Sequence, residues 1–176
     1  MNINLVGTIP VKPYLLKFVR HYENIEGGEA LDLQNNSVVS YTMSLFFTNK
    51  TNIDHEDQQS YLTLKKKYSA KLTFKISSRM KNFGKYFISR KTIVVLNKWL
   101  ERLFHETLLQ RILQGALEGK DEKQVIYDFL KELAIEEDVT FDQIKKANYR
   151  LRISKNYPDI HQQKRPGGQN PYRSTA

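Results

Sequence analysis

Residues 121–152 read DEKQVIYDFLKELAIEEDVTFDQIKKANYRLR. Apolar residues recur along this stretch at spacings of three and four, which places their side chains on one face of an α-helix. A glutamine follows both Asp121 and Thr140 by three residues, the spacing at which a capping box opens a helix. The stretch therefore predicts two amphipathic helices joined by the turn 134–139, a helix-turn-helix-like pair.

The second of these helices carries cationic and polar side chains away from its apolar residues. A helix fits the major groove of DNA, about 12 Å wide, where arginine and lysine reach guanine and phosphate and asparagine reads adenine. The first helix is acidic and suits a supporting role. Cations near the C-terminal end of a helix also interact favourably with the helix dipole when no ligand is bound. The alternative to DNA contact is therefore that this helix only packs in a helical bundle. The predicted contact residues are Lys145, Lys146, Asn148, Tyr149, Arg150 and Arg152.

A longer helix is predicted upstream of this pair. Ser89 has the character of an N-cap, and the glycines at 115 and 119 mark the end of the helix. An apolar stripe at spacings of three and four runs between them. Its residues are Ile93, Leu96, Leu100, Leu103, Phe104, Leu108 and Ile112.

The N-terminal half predicts a small β element. In residues 70–77, apolar side chains alternate with lysine and threonine, so one face of this strand is apolar and the other cationic. The pattern of residues 38–47 favours a helix but also permits a strand. The other expected elements are a helix opening at Pro13, a brief strand at 31–33, an N-cap at Ser37 and a second strand at 86–88.

These elements together predict an α+β fold with a small antiparallel β element in the N-terminal half and a helical C-terminal part. Residues 1–88 form the predicted α+β part with its basic strand and loop. Residues 89–156 form the helical part that contains the helix-turn-helix-like pair. Residues 157–176, rich in polar residues, proline and glycine, are expected to be a mobile basic tail.

Charge lies along the chain in blocks of opposite sign. The 28 lysines and arginines exceed the 19 acidic residues, which gives a net charge of +9. Ten of the cations fall in residues 61–91, the basic window, which contains no acidic residue. Such a surplus favours polyanions, with a solvated or acid-paired surface as the alternative. The predicted contacts here are Lys65, Lys66, Lys67, Lys71, Lys75, Lys81, Lys85, Arg90 and Lys91.

Several classes of site lack the residues that they need. There is no cysteine, which excludes disulfides, thiolate zinc sites and cysteine nucleophiles. The four histidines are widely separated, so the zinc-protease spacing is missing. The basic window has no carboxylate to hold a metal ion beside DNA. We therefore expect no catalytic residues, no metal site and no cofactor.

Neither a membrane span nor a secretory signal is predicted. The longest uncharged stretch, residues 33–49, is interrupted by asparagine, glutamine and serine. The start of the chain lacks the cationic leader and apolar core of a secretory signal. We expect a cytoplasmic protein without a membrane partner.

Both ends of the sequence resemble a group of bacterial proteins. The run from Asp128 through EEDV at 136–139 to YRLR at 149–152, and the opening IPVKPYL at 9–15, are similar to the ends of bacterial proteins carried by phages and other mobile elements. The resemblance implies a phage or mobile-element setting and carries no activity.

The sequence thus predicts a non-enzymatic protein that binds double-stranded DNA through its basic C-terminal helix and its basic strand and loop. A regulator of transcription or a replication accessory of a phage or mobile element fits this prediction. The alternative is a phage structural, assembly or interaction protein, a homo-oligomer held together through the helix 93–112.

Overall fold

The computed structural model describes residues 5–34, 37–45, 64, 66–76 and 90–154. The elements are, in chain order, β1 (Leu5–Val11), α1 (Pro13–Tyr22), β2 (Leu31–Asp32), α2 (Val38–Leu45), β3 (Ala70–Ile76), α3 (Arg90–Leu117), α4 (Glu122–Glu132) and α5 (Phe141–Ser154). The α+β class predicted from the sequence is confirmed. The predicted strand at 86–88, the predicted tail and both predicted boundaries between parts lie outside the described residues.

The three strands form one sheet in the order β1-β3-β2. β1 pairs antiparallel with β3 from Leu5 opposite Ile76 to Val11 opposite Ala70. β2 pairs parallel with β3, with Leu31 opposite Phe74. The sheet is therefore mixed. β3 is the strand that the sequence predicted at 70–77, whereas its antiparallel partner β1 was not predicted as a strand.

A glycine in β1 makes room for the largest side chain of β3. Gly7 lies directly opposite Phe74, and a Cβ atom at Gly7 would collide with the Phe74 ring. The ring is buried under the sheet beside Ile9 and Leu72. The pairing of the two strands therefore requires a residue without a Cβ atom at position 7.

The helix α3 is the central element of one hydrophobic core. Its predicted stripe is buried except for Leu103, which is half-buried. Phe104 lies at the centre, with ring centroids 5.3 Å from Tyr14, 5.3 Å from Phe18 and 5.5 Å from Phe129. Because these rings come from α1, α3 and α4, the two halves of the chain share one hydrophobic core.

A buried asparagine of α3 holds the end of β1 against that helix. The Asn97 side chain donates to the carbonyl of Pro10 at 3.0 Å and accepts from the amide of Lys12 at 3.1 Å. Its amide also donates to the carbonyl of Ile93 at 2.9 Å. Every hydrogen-bonding atom of this buried amide thus has a partner, and the β1–α1 junction is held at one position along α3.

Three helices end in the same hydrogen-bonded turn, in which the residue after the C-cap adopts a left-handed conformation. These residues are Asn24 after α1 with φ 52°, Gly119 after α3 with φ 76° and Ala134 after α4 with φ 52°. After α4, the amide of Ile135 donates to the carbonyl of Leu130 at 3.0 Å. None of the described helices is long and apolar enough to cross a membrane.

Candidate nucleic-acid interface

The turn between α4 and α5 is fixed by buried and capping residues. Ile135, within the turn, is fully buried and anchors it in the core. The hydroxyl of Thr140 accepts from the amide of Gln143 at 3.3 Å, while the Gln143 side chain accepts from the amide of Thr140 at 3.2 Å. This reciprocal pair is the capping box that the sequence predicted. The start of α5 is therefore well defined.

One face of α5 packs against α3 and α4, and the opposite face is open to solvent. The buried face consists of Ile144, Asn148 and Arg152, each four residues after the last. The solvent face carries Lys145, Lys146, Tyr149 and Arg150, and we call these four residues the α5 face. The Tyr149 side chain is 60% exposed. The structure thus brings four of the six predicted contact residues of this helix together on one surface.

The expectation is wrong for the other two residues, Asn148 and Arg152. Asn148 is fully buried, so its amide is turned away from any groove. Arg152 is only 9% exposed, and its guanidinium is occupied by the carboxylate of Glu122. Both side chains lie at the helical spacing of Ile144, so the packing of α5 against the core places them inside.

The Glu122–Arg152 pair also determines how α4 and α5 are arranged. Glu122 is the first residue of α4 and Arg152 lies in the last turn of α5, so the pair joins the ends farthest from the turn. The predicted pair of helices is confirmed, and this ion pair holds the ends of the two helices that lie farthest from the turn close together.

The cations of the α5 face have no acidic partners in the described part of the chain. Six other described lysines and arginines are neutralised in ion pairs, although some, such as Lys98 and Lys131, are not: the six are Lys12, Lys17, Arg102, Arg111, Lys120 and Arg152. In contrast, no described carboxylate lies within ion-pair distance of Lys145, Lys146 or Arg150. The Lys145 ammonium lies 5.9 Å from the centroid of the Phe141 ring. The positive charge of this face is therefore available to a ligand.

The acidic residues between 117 and 140, which precede α5, are largely used within the molecule. Five of these eight residues contact a cation or an amide: Glu118 with Lys120, Glu122 with Arg152, Asp128 with Gln124, Glu132 with Arg111, and Asp138 with Lys17. Burial raises the pKa of Glu132, but the hydrogen bonds and charges of Arg111 and His21 outweigh it and lower that pKa. The contacts of Glu122, Glu132 and Asp138 join different parts of the chain, which gives these three acids a structural role.

Part of the basic window forms a second exposed cationic surface. Lys71 and Lys75 point outward from β3, as predicted, while Leu72, Phe74 and Ile76 are buried. Lys66, Lys67, Arg90 and Lys91 are exposed as well. The predicted contacts Lys65, Lys81 and Lys85 lie outside the described residues. The structure therefore supports an exposed cationic face at β3.

The apolar stripe of α3, which the alternative function would use as an oligomer contact, is not exposed. Ile93, Leu100 and Ile112 are all buried in the chain's own core, with Phe104 between them. The prediction that this stripe makes an oligomer contact is wrong, because α1, α4 and the sheet already cover it.

A cluster of ionisable residues was missed by the sequence reasoning. Lys12 forms an ion pair with Glu101, and the Tyr14 hydroxyl donates to the same carboxylate at 3.2 Å. Burial raises the pKa of Tyr14, and burial lowers the pKa of His105, which follows Glu101 by one helical turn. The spacing of four from Asn97 to Glu101 to His105 was the available signal. This polar stripe fastens the β1–α1 junction to α3.

Two other arrangements in the described residues do not form a reactive site. No group of three metal-ligating side chains converges there. A cleft of about 200 Å³ lies between α3 and α4, but Arg111 in its lining is paired with Glu132, and Lys120 with Glu118. The two cations that line this cleft are thus already paired, unlike the cations of the α5 face.

Comparisons of the chain with models of protein families, with curated proteins and with solved structures found no match.

Proposed function

We propose that this protein is a non-enzymatic DNA-binding protein that contacts duplex DNA through the α5 face. The observation that carries the proposal is the grouping of exposed cations on one side of a single helix. Lys145, Lys146 and Arg150 lie together on the open face of α5, and none of them has an acidic partner among the described residues.

The α5 face suits phosphate contact first and base contact second. Lysine and arginine side chains neutralise phosphates and release counterions, and this release supplies most of the sequence-independent affinity for DNA. Tyr149 adds a hydroxyl that can bind a phosphate oxygen. Arg150 has the fork geometry that matches the O6 and N7 atoms of guanine. This contact uses the exposed side of α5, which the packing of its other side against α3 and α4 leaves open.

The proposed setting is a phage or mobile element in the cytoplasm of a bacterium, with a role as a regulator or replication accessory. The setting draws on the resemblance of both ends of the chain to proteins of such elements. The absence of a membrane-crossing helix among the described residues is compatible with it.

The direct test is a binding series with the full chain. Random duplex DNA, single-stranded DNA and RNA of equal length are titrated at several salt concentrations. We expect the highest affinity for the duplex, and each neutralised phosphate contributes about −0.9 to the slope of log affinity against log salt. No measurable binding at low salt, or a preference for single-stranded DNA or RNA, would contradict the proposal.

A further inference from the structure

On the outer face of the sheet, side chains of β1 and β3 lie opposite one another in pairs, and most of them are polar. Alternate residues of β1 and β3 face outward, and in the antiparallel ladder Val6 lies opposite Lys75, Thr8 opposite Thr73 and Pro10 opposite Lys71. We call these six residues the outer sheet face. β1 could not be anticipated as the partner of β3 from alternation, so this combination of side chains emerges only in the folded chain.

The helices leave this face open. α1 packs against β3 and α3 packs against β1, and the inward residues Ile9, Leu72 and Phe74 are buried beneath them. On the outward side, Val6 is 61% exposed, and Thr8, Lys71 and Lys75 are exposed as well.

The charge of this face is almost purely positive. Asp32 is the one acidic residue of the three described strands, and it lies at the edge beside Lys75. Its carboxylate accepts a hydrogen bond from the amide of Gln34 at 2.9 Å. Lys66 and Lys67 are exposed just before β3 and extend the positive surface.

The ribbon formed by β1 and β3 has dimensions that match a groove of duplex DNA, and β2 flanks it only at Phe74 and Lys75. Seven residue pairs at about 3.4 Å each give a ribbon roughly 24 Å long with strands about 4.8 Å apart. The major groove of B-DNA, about 12 Å wide, admits a two-stranded β-ribbon. We propose that the outer sheet face enters the major groove, where Thr8 and Thr73 contact base edges while Lys71 and Lys75 bind phosphate or guanine.

The chemistry of the face favours duplex DNA over other nucleic acids. Threonine offers a hydroxyl for base edges and a methyl group for the thymine methyl. The six residues include no aromatic ring, which a platform for single-stranded bases needs. The major groove of duplex RNA is too deep and narrow for side chains to read. This inference rests on the proposed function and assigns base reading to the sheet, with the α5 face as the phosphate contact.

The test uses the full chain and a preferred duplex obtained from it by selection from a random pool. In the variant T8V/T73V, valine keeps the shape of threonine and removes the hydroxyl. We expect the ratio of affinities for the selected and random duplexes to fall at least about fivefold, because each base contact contributes about 1–3 kcal/mol of discrimination. The salt slope should stay unchanged, since no charge is altered. Thr8→Ser with Thr73→Ser, which keeps both hydroxyls, is the matched variant and should keep more of the ratio.

The outcomes separate this inference from the proposed function. If wild-type protein binds duplexes but T8V/T73V keeps the full ratio, or if selection yields no preferred sequence, the sheet is not the reading surface and the proposed function stands. If wild-type protein does not bind duplex DNA at any salt concentration, both proposals fail. Circular dichroism and melting temperature confirm that both variants are folded, as expected for changes on an outward strand face.

Discussion

The guanidinium of Arg152 forms two hydrogen bonds with the carboxylate of Glu122, Nη2 to Oε1 at 2.6 Å and Nη1 to Oε2 at 3.2 Å. The two side chains are 11% and 10% exposed. The carboxylate lies in the first turn of α4 and the guanidinium in the last turn of α5. Each charge therefore also complements the dipole of its own helix, and the pair fastens α5 to the rest of the molecule.

Removal of one member of this pair should destabilise the protein strongly. Arg152→Ala removes the guanidinium from the almost buried Glu122 carboxylate, and loss of one member costs roughly 3 kcal/mol in comparable pairs. Replacing both residues with apolar ones, as in E122L/R152M, should cost much less than the sum of the single changes. Urea denaturation of the two single variants and the double variant measures this coupling. Additive effects would show that the ion pair does not hold the helices together.

Replacement of the buried Asn148, in contrast to that of Arg152, should stabilise the protein. Neither its oxygen nor its nitrogen has a hydrogen-bond partner within the described residues. A buried polar group without a partner costs about 1–3 kcal/mol, so Asn148→Leu, which is similar in size, should raise the free energy of unfolding by about that amount. Affinity for DNA should not change, because the side chain is inside the protein. Loss of DNA affinity in a stable Asn148→Leu variant would instead restore this residue as a base contact.

The buried His105 predicts a loss of stability in acid. Burial lowers the pKa of its imidazole from 6.5, Glu101 raises it and Lys12 lowers it. The unfolded chain then binds a proton at a higher pH than the folded chain. Stability should therefore be constant above about pH 6.5 and fall below it, by about 1.4 kcal/mol for each pKa unit of depression.

This dependence is measured by urea denaturation between pH 7.5 and 5. The variant His105→Gln should flatten the curve in that range. His21→Gln, which removes a half-exposed histidine that contacts Glu132, should leave the loss in place. A wild-type curve that does not fall below pH 6.5 would contradict the burial of His105.

Ala134, the residue with left-handed backbone conformation after α4, is a position where glycine should stabilise the protein. Ala134 has φ 52°, a conformation that costs a residue with a Cβ roughly 1–2 kcal/mol. The greater freedom of glycine in the unfolded chain offsets about 0.5–1 kcal/mol of this gain. Ala134→Gly should thus raise stability by about 0.5–1 kcal/mol, measured by thermal unfolding.

Asn24 provides the comparison for that substitution. It has the same φ after α1, but asparagine tolerates the left-handed region better than alanine does. Asn24→Gly should therefore change stability less than Ala134→Gly. An equal gain at both positions would indicate that backbone strain at Ala134 is not the cause.

Local patterns in the sequence were sufficient to predict most elements. The spacing of three and four between Ile93 and Ile112 identified α3, and alternation around Phe74 identified β3. Ser37 and Thr140 marked the starts of α2 and α5, and both side chains accept the expected capping hydrogen bonds. These features depend on neighbours within a few residues, so the sequence displays them directly.

Features that depend on distant partners were missed. β1, which contains Pro10, was not predicted as a strand. Its partner β3 lies some sixty residues away, and the fit of Gly7 under Phe74 is visible only in three dimensions. Arg152 was assigned to the surface because it is a cation. Its spacing from Ile144 pointed inward, and its partner Glu122 lies thirty residues earlier.

The most direct test of DNA contact by α5 compares two double variants with equal loss of charge. K145A/K146A removes two lysines of the α5 face, and K98A/K131A removes two exposed lysines of α3 and α4. Each lowers the net charge from +9 by two. We predict that the first flattens the slope of log affinity for duplex DNA against log salt by about 1–2 units, with an unchanged melting temperature, while the second leaves the slope unchanged. Equal flattening by both variants, or none by K145A/K146A, would contradict the assignment of the α5 face as the DNA contact.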